Sequence, residues 1–93
     1  MQSARPNWTD EARQDLAAII DYIASDNPAV ADAFLDRIIE RSNTLTDNPH
    51  AFRRGRLPGT REMLIHSNYI LVYAVNAGAV TILRLLHSAR NWP

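Results

Sequence analysis

The residues able to do chemistry crowd the second half of the chain. Arg61 and Glu62 form a neighbouring pair, and Arg84, His87 and Arg90 follow close together near the end. An imidazole titrates near neutrality and can serve as general acid or base. An arginine beside a carboxylate can stabilise a phosphorane and help activate a 2′-hydroxyl, as metal-independent RNA cleavage requires. The set that would do so is Glu62 as base, His87 as acid, and Arg61 and Arg90 as a cationic cradle. Each member has a structural alternative: a salt bridge for Arg61 and Glu62, a bond to nearby backbone for His87.

Other arginines suit recognition. Arg53, Arg54 and Arg56 lie in a turn-rich linker from His50 to Pro58, where guanidinium groups can meet phosphates or carboxylates. Arg84 alternates with Val80, Ile82 and Leu86, which places a charge on an apolar face and demands a partner. Glu62 is the structural candidate; a phosphate or a partner's carboxylate is the functional one. Trp92 reads as the anchor of a tail laid back over a sheet, with base stacking as the alternative.

The elements that must position these residues follow from periodicity. Arg61 to His66, Tyr69 to Val75 and Val80 to Leu86 are short runs rich in Val, Ile and Tyr, broken by Asn76-Ala77-Gly78. They predict a three-stranded antiparallel meander. Tyr69 to Val75, apolar at nearly every position, is its central strand, covered on both faces, with the tail or another chain on the second. Arg5 to Trp8 predicts a short first strand limited by Pro6. Thr9 reads as an N-cap ahead of Asp10 and Glu11. Ala12, Leu16, Ile19, Ile20 and Ile23 then mark one face of a helix to about Ser25. Asn27 and Pro28 restart a second helix to about Asp47, with Ala31, Phe34, Leu35, Ile38 and Leu45 facing inward. Asn48-Pro49 closes it. The prediction is an α+β fold, β-α-α-β-β-β, a helical hairpin packed on one face of a small antiparallel sheet.

The totals narrow the class. Ninety-three residues make one domain, spanning 1–93. A hydrophobic fraction of 46% is globular rather than disordered. With no cysteine, neither disulfides nor thiolate zinc sites are available, which suits a reducing cytoplasm. No apolar signal region opens the chain, and no run approaches the roughly 20 residues of a membrane helix. The expectation is therefore a cytoplasmic protein with no membrane partner. Net charge is zero, yet residues 1–48 carry nine acids and four arginines, while residues 49–93 carry six arginines and one acid. Either an acidic helical half packs on a basic sheet half, or the basic half meets an anionic partner. The row Asp32, Asp36 and Glu40 reads as a solvated helix face, so neither metal nor cofactor is expected. Phosphate-loop, zinc-protease, nucleophile-elbow and helix-turn-helix signatures are absent from the sequence.

The order of several short motifs carries a resemblance across nearly the whole chain. They are Trp8-Thr9-Asp10-Glu11-Ala12, Ile20-Asp21-Tyr22-Ile23, Asn27-Pro28, Gly59-Thr60-Arg61-Glu62, Tyr69-Ile70-Leu71-Val72-Tyr73, Ile82 to His87, and Arg90 to Pro93. In this order the chain resembles the RelE/ParE superfamily of toxins from bacterial type II toxin–antitoxin modules, the ParE-like or plasmid-stabilisation branch above all. The resemblance implies the fold already read, a growth-arresting toxin, and a cognate antitoxin with which it assembles into a higher-order oligomer. It implies a target as well. ParE-like members poison DNA gyrase, and many share the Leu-His strand ending without nuclease activity. RelE-like members are mRNA interferases that cut on the ribosome with basic residues, near which Arg61 and Arg90 fall. Ile70 stands where those members carry an arginine, and their paired lysines and tail tyrosine have no counterpart here. YoeB-like members use a glutamate, an arginine and a late histidine; His87 matches the last, and the other two align poorly. Gyrase is thus the expected target, with RelE-like mRNA cleavage, or an inactive antitoxin-binding protein, as the alternatives. Whether the chain is an enzyme turns on that choice.

Overall fold

The computed structural model describes residues 5–66 and 68–92. The order is β1 (Asn7–Trp8), α1 (Asp10–Asp26), α2 (Pro28–Asn43), β2 (Arg53–Arg54), β3 (Arg61–His66), β4 (Tyr69–Asn76) and β5 (Ala79–His87). The caps form where the sequence placed them. Thr9 Oγ1 accepts from the Ala12 amide at 3.1 Å, and Asn27 Oδ1 accepts from the Val30 amide at 3.2 Å. α2 stops at Asn43, short of the predicted Asp47, because a 3-10 turn over Thr44–Thr46 tightens the chain there.

The sheet has five strands in the order β1-β5-β4-β3-β2. The predicted meander β3-β4-β5 is present and antiparallel, with β4 in the middle. Two departures extend it. β1, shorter than expected, pairs parallel to β5 through Asn7↔Thr81 and Trp8↔Ile82, so the sheet is mixed. β2 forms inside the linker and pairs antiparallel to β3. The turn between β4 and β5 holds Ala77 at φ 52° and Gly78 at φ 80°. Both central residues are left-handed, as a two-residue reversal matching strand twist requires.

The two faces of the sheet bury different clusters. Toward the helices, Met63, Ile65, Leu71, Tyr73, Val80, Ile82 and Leu85 pack with Ala12, Ile38 and Leu45, and Leu16, Ile19 and Phe34 flank them. On the other face Ile70, Val72 and Leu86 form a smaller cluster, covered by Leu83 and by Trp92 of the tail. β4 is consequently shielded on both sides, and the tail supplies the second cover. No helix among the described residues is long and apolar enough to cross a membrane.

Candidate functional site

β-strand alternation divides the sequence-predicted residues between the two sheet faces. Glu62 points to the face away from the helices and is 4% exposed. A carboxylate buried that far needs partners. Arg53, its direct cross-strand neighbour, donates to Oε1 at 3.2 Å, and the Arg56 amide donates to Oε2 at 3.0 Å. The Arg56 guanidinium adds an ion pair at 3.7 Å. Glu62 thus ties the β2–β3 connection to the sheet.

Arg61, one residue earlier, leaves the opposite face. Its guanidinium donates to the Phe52 carbonyl at 2.7 Å and the His50 carbonyl at 3.4 Å. It stands across the strands from Tyr73, whose hydroxyl donates to the Pro49 carbonyl at 2.7 Å. Burial raises the Tyr73 hydroxyl above its ordinary pKa, and the Arg61 charge lowers it in part. Arg61 and Glu62 are therefore sequence neighbours that do not share a site.

His87 and Arg90 lie together at the far end of β5. They border a groove of about 250 Å³ with Asp15, Tyr22 and Tyr69. The His87 ring meets Tyr69 edge-on at 5.4 Å, and its Nδ1 accepts from the Ala89 amide at 3.1 Å. The Arg90 amide donates back to the His87 carbonyl at 3.0 Å, and the Arg90 carbonyl accepts from Arg56 at 3.4 Å. Glu62 and the exposed His87 both border a narrow space lined by Trp92, with no room for a water. The Trp92 indole N–H is buried with no hydrogen-bond partner among the described residues.

Arg84 does not pair with Glu62 as expected. A bulge between Val72 and Tyr73 inserts Leu83 into β5, so Ile82 and Arg84 face opposite sides despite their spacing. Arg84 turns at the sheet edge to Asp15 of α1, with Nε to Oδ2 at 2.7 Å and a second bond of 3.0 Å to Oδ1. That bidentate bond, foremost, raises the Arg84 pKa further, against the opposing effect of burial. Asp15 also accepts from the Leu85 amide at 2.9 Å, just where β1 has ended and left the β5 edge unpaired. The Arg84 guanidinium lies 5.2 Å from the centre of the Trp92 ring, a cation–π contact. Asp15 belongs to the Asp15-Leu16 step of the motif order that carries the family resemblance. At the border of the α1 apolar stripe, however, an acid looks like ordinary solvated surface, so its pairing with Arg84 is not legible from sequence. Arg54 is exposed and has no ion pair among the described residues. Asp32, Asp36 and Glu40 are exposed along α2. No cluster of metal-ligating side chains occurs among the described residues.

A helical hairpin on this sheet, closed by an arginine-bearing tail, is the RelE/ParE-like α+β fold of type II toxins. Residues 7–92 match the ParE toxin of type II toxin-antitoxin system, parDE, and the chain belongs to that family. Toxin RelE2 of Caulobacter vibrioides is 36% identical over 85 residues, covering 89% of this chain and 93% of that protein. The protein Y4kP of Sinorhizobium fredii is 33% identical over 94 residues, covering 100% of this chain and 97% of that one. Among solved structures, the chromosomal ParDE TA system from P. aeruginosa contains a chain similar to this one. It superposes with a TM-score of 0.78 at 27% identity, covering 91% of this chain and 96% of that one.

Proposed function

We propose that this toxin arrests growth by a ParE-like inhibition of DNA gyrase, and that a cognate antitoxin neutralises it in the cytoplasm. The observation that carries the choice of target is the state of Glu62. The carboxylate that would act as base is buried under two arginines and a backbone amide, and its neighbour Arg61 leaves the other sheet face. A general base must reach the proton it abstracts. A toxin acting through a contact surface has no such need, and Arg90 with the rest of the exposed tail supplies one. The antitoxin reading draws on the similarity to a chain of a ParDE system. An acidic, amphipathic segment that orders on binding suits the basic half of the chain.

One observation favours the nuclease as second reading. Glu62 and His87 border the same narrow space beside Trp92, so displacement of Trp92 would open the buried Glu62 toward the exposed His87. Purified protein tested in parallel for inhibition of gyrase supercoiling and for ribosome-dependent mRNA cleavage separates the two. The expected result is blocked supercoiling with intact mRNA; cleaved mRNA with unaffected gyrase would overturn the proposal.

A further inference from the structure

The β2–β3 ribbon carries two cross-strand pairs of opposite character. Arg53 faces Glu62 and is neutralised by it, while Arg54 faces Arg61 directly. Residues opposite each other across a strand pair share a face, and like charges in that position repel. The Arg54 and Arg61 side chains open onto a groove of about 410 Å³, joined by His50, with Leu57, Pro58 and Val75 as its apolar wall. Among the described residues, no carboxylate lines this groove. Neither arginine is in an ion pair among the described residues. A ribbon that gives one cross-strand arginine a carboxylate and sets the next against a second arginine lacks negative charge at that second pair.

The rim is built in advance of any ligand. Two backbone carbonyls fix the Arg61 guanidinium. In the loop beyond β2, the Gly55 amide donates to the Thr60 carbonyl at 2.8 Å, and the Thr60 hydroxyl donates to the Leu57 carbonyl at 2.7 Å. The loop closes so tightly that a Cβ on Gly55 would clash with Thr60 Oγ1. Glu62 holds the same loop from the other face through the Arg56 amide. Such a site loses little conformational freedom when it binds.

We propose that this groove binds a phosphate ester of nucleotide size. The phosphate would sit between Arg54 and Arg61, and the organic part would lie on Leu57, Pro58 and Val75. A phosphate offers three terminal oxygens and close to two negative charges, enough to accept from two guanidinium groups and an imidazole. A carboxylate, with one charge and two oxygens, would leave the like-charge pair half compensated. The volume is that of a small-molecule site, and the apolar wall gives a base or sugar a surface that inorganic phosphate cannot use. The phosphate ester can come from a free nucleotide or from the 5′ end of a nucleic acid strand. The site stands apart from His87 and Arg90 and does not depend on which target the toxin attacks.

Calorimetric titration of the full chain at fixed ionic strength tests this, with a nucleoside monophosphate, a 5′-phosphorylated oligonucleotide, inorganic phosphate and a glutamate-rich peptide as separate probes. Saturable binding of the monophosphate assigns the free nucleotide, and binding of the oligonucleotide alone assigns the strand end. Either should weaken by about tenfold or more in Arg54→Glu. Arg37→Glu, the same charge change on the exposed face of α2, should bind as the wild type does. Thermal melts of the same samples give a second readout: Arg54→Glu should melt higher than the wild type without ligand, because it relieves the repulsion. Binding of inorganic phosphate as tight as of the esters, preference for the acidic peptide, no binding at all, or equal loss in both variants would each overturn the proposal.

Discussion

Two sets of charges on this sheet behave differently. Asp15 and Glu62 are enclosed acids, each holding an arginine and a backbone amide. Arg54 and Arg61 are opposed cations on an open groove, with no acid in its lining among the described residues. The first set is committed to structure: Asp15 seals the β5 edge beyond β1, and Glu62 fastens the β2–β3 loop. The second set makes no ion pair among the described residues, and it is the set to which the phosphate-ester proposal assigns a ligand. An Arg–Glu pair read from adjacent letters therefore says little about a site, because strand alternation sends adjacent side chains to opposite faces.

Substitutions can break this contrast, and the largest effect belongs to Asp15. Asp15→Ala leaves Arg84 enclosed without its bidentate partner and the Leu85 amide without an acceptor. Breaking an enclosed pair from one side costs about 3 kcal/mol, which chemical denaturation would measure as a lowered midpoint. Glu62→Gln should cost about 2 kcal/mol, since an amide still accepts one bond but loses the charge that holds Arg53 and Arg56. Arg54→Ala has the smallest effect and the opposite sign. It should raise the melting temperature by about 1–3 °C, and added salt should shrink that gain. A destabilised Arg54→Ala would remove the distinction between the two sets.

How far these roles were legible follows from the range of the interactions. The caps at Thr9 and Asn27 and the Ala77-Gly78 reversal are local, and the sequence places them because their partners lie within a few residues. Trp92 as a cover for the second sheet face was legible too, since a β4 apolar at nearly every position needs both faces shielded. The partner of Arg84 was not. One inserted residue, Leu83, reverses the alternation that had placed Arg84 with Val80 and Ile82, and Asp15 lies sixty-nine residues away in sequence. β1 beside β5 and β2 inside the linker are likewise two-residue strands whose partners, not their own sequence, make them strands.

On the proposed reading, the buried Glu62 fastens the sheet and forms no acid–base pair with His87. A positioned acid or base is worth roughly 10²- to 10⁴-fold in rate, so a nuclease built on His87 could not lose that side chain and remain toxic. The most direct measurement is growth arrest by His87→Gln at folded levels matched to the wild type, with removal of residues 90–93 alongside. His87→Gln is expected to stay toxic, and loss of the tail to weaken toxicity. A folded His87→Gln protein that no longer arrests growth, beside a wild type that cuts ribosome-bound mRNA, would contradict that reading.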